Sequence, residues 1–147
     1  MKKPRVLFIC VHNTARSQIA EAMVNHFHDD LVIAESAGFE PGNALNPLAV
    51  EVMKEIGIDI SMNKSKGVFD LFKEGRHYAF VVTVCDESTA ERCPIFPGVT
   101  KRMHWSFEDP ASFEGSWEEK LEKTRQVRES IRQAIEAWIL ELKNLGK

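Results

Sequence analysis

Uninterrupted apolar runs predict strands that are buried on both faces of a sheet. Residues 6–9 form one such run near the start of the chain, and residues 78–84 give the strongest signal of this kind. Such runs are typical of parallel sheets, because helices cover both faces of these sheets. Residues 31–34 and 101–105 are shorter and weaker strand candidates.

Apolar residues at helical spacing predict helices between and after these strands. One helix is expected over residues 17–28. A second helix is expected to begin behind Asn46, which has the character of an N-cap, and to stop near Gly57. Residues 68–73 are expected to form a short helix.

A long amphipathic helix is predicted at the end of the sequence. Ser116 and Glu119 form a capping-box pattern ahead of it. Trp117 and Trp138 are expected to be packing residues on this helix. Residues 36–38, which follow the second predicted strand, are expected to lie in a loop.

The order of these elements predicts an α/β fold. Strands that alternate with helices imply a three-layer sandwich with a four-stranded parallel sheet. With 147 residues, of which 44% are hydrophobic and 28% charged, the sequence is typical of one globular domain over residues 1–147. The same composition excludes a disordered chain and a collagen-like fibre.

Charge and hydropathy limit the classes of partner. The formal net charge of −3 argues against a nucleic-acid-binding protein. No apolar run approaches the roughly 20 residues of a membrane span, and the N-terminus lacks the pattern of a secretory signal. We therefore expect a cytoplasmic protein, whose three cysteines stay reduced unless they do redox or catalytic work.

The polar segment 10–17 connects the first predicted strand to the first predicted helix. The free N–H groups and partial positive charge of a helix start hold a tetrahedral oxyanion, and the guanidinium of Arg16 can grip two of its oxygens. Cys10 would lie below the central atom and attack it in line. The predicted oxyanion-binding residues are Val11, His12, Asn13, Thr14, Ala15, Arg16 and Ser17.

This environment favours the thiolate of Cys10, which is the nucleophilic form. Ser17 is placed to donate a hydrogen bond to the sulfur, and Asn13 tolerates left-handed backbone geometry that would brace the loop. The side chain of His12 is expected to support the loop, and a contact with the oxyanion is the alternative. The alternative is purely structural: a buried cysteine ends a strand and Arg16 lies on a helix surface.

These motifs resemble those of the low-molecular-weight protein tyrosine phosphatases, and more closely those of the thioredoxin-coupled arsenate reductases built on that fold. The resemblance covers nearly the whole chain. Gln18 favours the reductases, because the phosphatases commonly carry proline at that position. The matching residues are Cys10-x-x-Asn13-x-x-Arg16-Ser17-Gln18, Ser36-Ala37-Gly38, Val82-Thr83-Val84-Cys85 with Cys93-Pro94, and His104-Trp105-x-x-Glu108-Asp109-Pro110.

The resemblance implies a relay of three cysteines. Cys10 forms an adduct with arsenate, Cys85 attacks Cys10 as arsenite leaves, and Cys93 then attacks Cys85. Thioredoxin, or glutaredoxin with glutathione, would reduce the resulting disulfide, and no cofactor is expected. If the strands before Cys10 and Cys85 are neighbours, both thiols open onto the same edge of the sheet. The alternative makes Cys85 and Cys93 small core residues.

The resemblance also implies roles for Asp109 and Lys66. Asp109 matches an acid that protonates the departing oxygen, although aspartate before proline is also common in turns. Some family members bind potassium at positions that match Asn13, Glu21 and Ser36, and Lys66 stands where a further acidic ligand is expected. Its ammonium could replace the ion by pairing with Glu21, or it could be a solvated lysine.

Two other functions stay open at this point. A phosphatase would use the same loop, because phosphate and arsenate are near-isosteres. Ala111-Ser112 weakens that interpretation, since such phosphatases carry aromatic residues there that grip a phenol. A non-catalytic oxyanion-binding module would need Arg16 but not three aligned thiols. The family expectation is a monomer.

Overall fold

The computed structural model of the chain describes residues 3–84 and 96–145. Its elements in chain order are β1 (Arg5–Cys10), α1 (Arg16–Phe27), β2 (Ile33–Gly38), α2 (Pro47–Lys54), α3 (Val68–Lys73), β3 (Phe80–Thr83), β4 (Lys101–His104), a 3-10 turn (Pro110–Ser112) and α4 (Trp117–Leu145). None of the helices in the described part of the chain has both the length and the apolar character that a membrane span requires.

The strands of the described residues form one parallel sheet in the order β2-β1-β3-β4. Cys10 of β1 lies opposite Gly38 of β2, and Ile9 lies opposite Thr83 of β3. Each residue of 6–9 is 0% exposed. Because successive side chains of a strand point to opposite faces, both faces of the sheet are covered. The predicted α/β class with a four-stranded parallel sheet is confirmed.

Helix α4 covers part of the sheet through an aromatic contact. Trp138 is 3% exposed and packs its ring against Phe8 and Phe80, with centroid distances of 6.5 and 5.4 Å. The packing role predicted for Trp117 is wrong, because this side chain is 48% exposed. The capping box fixes the helix start at Trp117, and the buried stripe of the helix begins only at Leu121.

Strand β2 is displaced from its predicted position. It spans Ile33–Gly38, so residues 36–38, expected to lie in a loop, form its end. The apolar pattern missed these residues because Glu35 and Ser36 interrupt it. Both side chains are satisfied within the fold: Glu35 accepts a hydrogen bond from Tyr78 at 2.8 Å, and Ser36 is fully buried and hydrogen-bonded.

The helix signals in the sequence correspond to observed hydrogen bonds. Asn46 Oδ1 accepts from the N–H of Leu48 at 2.9 Å and caps α2. Gly57 follows that helix with φ of 81°, a conformation that favours glycine. The Ser116 hydroxyl accepts from the N–H of Glu119 at 3.1 Å, and the Glu119 carboxylate accepts from the N–H of Ser116 at 3.3 Å. Helix α3 has the predicted boundaries.

Candidate functional site

Cys10 is the last residue of β1, and the loop behind it leads into α1 at Arg16. The predicted sequence of strand, loop and helix start is therefore confirmed. The N-cap residue, Ala15, has no side chain that could cap the helix. The N–H groups of the first turn of α1 are consequently not taken up by a cap and can bind an anion.

The carbonyl groups of the loop are bound from its outer side. Four backbone N–H groups of the segment that follows β2 donate to them: Phe39 to Cys10 at 3.2 Å, Glu40 to Val11 at 2.8 Å, Gly42 to His12 at 3.0 Å and Asn46 to Thr14 at 2.9 Å. In a trans peptide the C=O and the following N–H point in opposite directions. The N–H groups that follow these carbonyls therefore point away from the segment after β2. The oxyanion-binding role of residues 11–17 stays a prediction.

Gly38 allows β2 to come this close to the loop. A Cβ atom at this position would lie 2.7 Å from the carbonyl oxygen of Val11 and 2.9 Å from backbone atoms of His12 and Asn13. All three atoms belong to the backbone, so a rotamer change could not relieve the clash. Sequence reasoning placed Gly38 in a loop and missed this role; the motif Ser36-Ala37-Gly38 was its only signal.

The sulfur of Cys10 has two polar neighbours within the loop and helix. Ser17 Oγ lies 2.8 Å from Cys10 Sγ, and the backbone N–H of Asn13 donates to the same sulfur at 3.2 Å. Hydrogen bonds to sulfur stabilise negative charge on it. Asn13 adopts φ of 57°, so the left-handed conformation expected for it is present. Cys10 itself is 2% exposed.

Arg16 connects the anion loop to the loop that holds Asp109. Its guanidinium lies 3.4 Å from Asp109 Oδ2, and it donates to the carbonyl oxygen of Phe107 at 3.2 Å. The Arg16 side chain is 5% exposed, whereas that of Asp109 is 35% exposed. A buried guanidinium needs such partners, so this pair positions the carboxyl group of Asp109 over the loop.

A small pocket lies between these groups. Its cavity volume is about 10 Å³, and it is lined by Cys10, His12, Thr14, Ala15, Arg16 and Asp109. Pockets for drug-sized organic ligands usually measure about 300–1,000 Å³. Among the described residues, no phenylalanine, tyrosine or tryptophan lines it. With Asp109 beside Arg16, the pocket is far smaller than a site for a drug-sized organic ligand.

His12 supports the loop, as the sequence predicts. Its Nδ1 lies 2.8 Å from the carbonyl oxygen of Glu40. A carbonyl oxygen only accepts hydrogen bonds, so Nδ1 carries the proton. The ring thereby ties the loop to the segment after β2, alongside the backbone hydrogen bonds of that segment.

Lys66 lies where the resemblance places a potassium ligand. Its ammonium is 3.6 Å from the carboxylate of Glu21, which also accepts from Ser36 Oγ at 3.0 Å. Burial raises the pKa of Glu21, and the nearby charge of Lys66 opposes that shift. A potassium ion would have to share Glu21 with this ammonium, and like charges repel, so the residues present do not fit the ion.

Cys85 and Cys93 lie outside the described residues. Strands β1 and β3 are neighbours, and the N–H of Val84 donates to the carbonyl oxygen of Ile9 at 2.8 Å. The condition for the predicted meeting of Cys10 and Cys85 at one edge of the sheet is therefore met. The relay through Cys85 and Cys93 stays a prediction.

Comparisons with known proteins agree with this geometry. The family described as low molecular weight phosphotyrosine protein phosphatase matches residues 5–147. The arsenate reductase of Shouchella clausii is 42% identical over 132 residues, which are 89% of this chain and 91% of that protein.

Solved structures show the same fold. A structure described as an arsenate reductase in the phosphate binding state matches with a TM-score of 0.75 at 26% identity, over 94% of this chain and 98% of that chain. A thioredoxin-dependent arsenate reductase of Corynebacterium glutamicum matches with a TM-score of 0.64 at 31% identity, over 95% of this chain and 63% of that one.

Proposed function

The chain belongs to the low molecular weight phosphotyrosine protein phosphatase family, and we propose that within this family it is an arsenate reductase that uses Cys10 as its nucleophile. The observation that carries the proposal is the pocket over Cys10, which the loop and Arg16 line and to which none of the described residues contributes an aromatic wall. Relatives that share about two fifths of its residues are arsenate reductases.

The loop binds arsenate through charge and directed hydrogen bonds. Inward N–H groups donate to the oxygens, and the guanidinium of Arg16 holds two of them. The thiolate of Cys10 then attacks arsenic(V), forming a sulfur–arsenic bond. Asp109 takes a proton from one hydroxyl of dihydrogen arsenate and delivers it to the departing hydroxyl, which leaves as water. Since Asp109 lies beside Arg16 at 3.4 Å, its carboxyl group is within reach of a bound anion.

The reduction itself needs two further thiols. Cys85 attacks the sulfur of Cys10, a Cys10–Cys85 disulfide forms, and the electron pair of the sulfur–arsenic bond stays on arsenic, which leaves as arsenite. Cys93 then attacks Cys85 and releases the thiolate of Cys10. The two electrons thus come from thiols of the chain, and a dithiol partner reduces the remaining Cys85–Cys93 disulfide.

The electron donor is proposed to be thioredoxin, as in the thioredoxin-dependent enzyme of Corynebacterium glutamicum. Glutaredoxin with glutathione is the other donor to compare. We propose a cytoplasmic location, because thiols stay reduced there and a reducing partner is available. We further propose that residues 1–147 act as one monomeric domain.

The decisive experiment couples arsenate reduction to the consumption of NADPH by thioredoxin reductase and thioredoxin. Arsenate should cause steady consumption, and glutaredoxin with glutathione should support a lower rate. A chromogenic aryl phosphate assayed in parallel should be hydrolysed slowly at most. Rapid hydrolysis without arsenate-dependent consumption would assign the chain to the phosphatases instead, and neither activity would point to a binding module.

Two variants test the relay. Cys85→Ser and Cys93→Ser should each abolish continued NADPH consumption while leaving the binding of phosphate, measured by calorimetry, unchanged. Full turnover in both variants would contradict the relay without affecting the assignment of the anion loop.

A further inference from the structure

Gln18 is a fully buried polar residue in the first turn of α1. Its Nε2 lies 3.2 Å from the carbonyl oxygen of Asn13, 3.0 Å from Asn13 Oδ1 and 3.1 Å from the carbonyl oxygen of Lys64. Its Oε1 accepts from Asn63 Nδ2 at 3.3 Å. Two of the three oxygens around Nε2 are backbone carbonyls, which only accept, so the nitrogen of the amide must face them.

The orientation of the Asn13 amide follows from its neighbours. The backbone N–H of Lys66 donates to Asn13 Oδ1 at 2.9 Å, and Gln18 donates to the same oxygen. Both groups are donors, so this atom must be the oxygen. The nitrogen of Asn13 therefore faces Ser17 Oγ, at 2.7 Å.

This orientation determines the role of the Ser17 hydroxyl. Its oxygen accepts from Asn13, so its single hydrogen is free to be donated elsewhere. The nearest partner described is Cys10 Sγ, at 2.8 Å. A chain of hydrogen bonds thus runs in one direction, from the amides of Gln18 and Asn13 through the hydroxyl of Ser17 to the sulfur of Cys10.

We propose that Gln18 is a positioning residue that keeps the Asn13 amide turned so that Ser17 donates its hydrogen to Cys10. The proposal rests on the proposed role of Cys10 as the nucleophile. Gln18 contacts neither the sulfur nor the pocket lining and acts only through Asn13 and Ser17. It also bonds the carbonyl of Asn13, which helps to hold the left-handed backbone of that residue.

The test measures the thiol of Cys10 without any oxyanion. In a Cys85→Ser, Cys93→Ser background, Cys10 is the only thiol, because the chain has three cysteines. The rate of its alkylation by iodoacetamide is followed against pH. Gln18→Met keeps the length of the side chain and removes its donor. The midpoint of the pH profile should move upward, with alkylation at least about threefold slower on the acidic side.

Asn63→Ala is the matched control, since the hydrogen bond to Gln18 Oε1 is the only one that its side chain makes with residues 3–84 and 96–145. Its profile should equal that of the parent. Gln18→Ala is a second variant with a smaller side chain, in case methionine does not fit at this buried position. Its midpoint should shift in the same direction. Thermal unfolding of every variant is recorded to separate folding from thiol ionisation.

A profile that stays unchanged in both Gln18 variants, even with a lowered unfolding temperature, would overturn the proposal and leave Gln18 as a packing residue. A failure of the proposed function would give a different result in the same experiment. An alkylation rate in the parent that does not depend on pH would contradict the role of Cys10, whereas equal midpoints contradict only the role of Gln18.

Discussion

The guanidinium of Arg16 lies 3.4 Å from the carboxylate of Asp109, across the pocket above Cys10. One side chain therefore contacts both the anion loop and the loop of the proposed acid. An arsenate that enters the pocket competes with Asp109 for this guanidinium. Once the anion is bound, the carboxyl group of Asp109 lies beside one of its oxygens. A proton then has only a short distance to move between the two groups.

Arg16→Lys should strongly impair the enzyme although the positive charge is kept. An ammonium lacks the planar fork that binds two oxygens and the carbonyl of Phe107 together. We expect kcat/KM for arsenate to fall about 100-fold or more, with weaker phosphate binding in calorimetry. Arg102→Lys, on the exposed edge strand β4, is the control and should keep full activity. Activity within about threefold of the parent would contradict the proposed clamp.

Asp109→Asn should slow catalysis without weakening anion binding. The amide oxygen can still accept from the N–H of Ala111, as Asp109 Oδ1 does at 3.0 Å, so the turn is kept. The proton donor is lost, and kcat for arsenate should fall by about 10²–10⁴. Phosphate binding should be equal or tighter, because a negative charge next to the pocket is removed. Glu108→Gln, at an exposed neighbouring residue, is the control and should leave kcat unchanged. If kcat fell in both variants, the effect would come from a disturbed loop and not from the loss of the acid.

The sequence was sufficient for those features that depend on neighbours in the chain. A strand, a loop and a helix start follow one another from β1 to α1, so Cys10, Arg16 and Ser17 could be assigned to one site. The parallel sheet followed from apolar runs and from the alternation of elements. Asn46 and the capping box at Ser116 were predictable for the same reason, since caps act over a few residues.

Features that depend on contacts across the fold were not predictable in this way. Strand β2 contains Glu35 and Ser36, whose partners come from other elements, so its apolar pattern is broken. The close approach of Gly38 to the loop needs the register of β1 and β2. Likewise, Gln18 indicated the family by its identity, but its contacts with Asn13 and Lys64 appear only in the fold.

Gly38→Ala should disable the anion loop while the rest of the fold persists. The added methyl group would meet the carbonyl oxygen of Val11 at 2.7 Å, so the loop must move away from β2. Phosphate binding and arsenate reduction should both fall by about tenfold or more, because inward N–H groups lose their alignment. Gly67→Ala is the control: its methyl group would meet mainly the movable carboxylate of Asp70. Equal activity in the two variants would contradict the role of Gly38.

Lys66→Met tests whether the ammonium takes the place of potassium. Burial raises the pKa of Glu21, and Lys66 opposes that shift, so removing Lys66 should raise this pKa further. A carboxyl group whose pKa is raised in the folded state binds its proton more tightly there than in the unfolded chain. The free energy of unfolding therefore decreases as pH rises from the ordinary value of 4.5 through the raised value.

Lys66→Met should accordingly lose stability at neutral pH, and the difference from the parent should vanish well below pH 4.5, where Glu21 is protonated in both states. Potassium should restore part of the unfolding temperature of this variant, whereas the parent should unfold and turn over equally in potassium and sodium salts. Lys64→Met is the control, because Lys64 contacts Gln18 through its backbone carbonyl, which the substitution keeps. This variant should show neither the loss of stability at neutral pH nor the rescue by potassium. Strong activation of the parent by potassium would contradict the replacement, because an ammonium 3.6 Å from Glu21 leaves that charge already compensated.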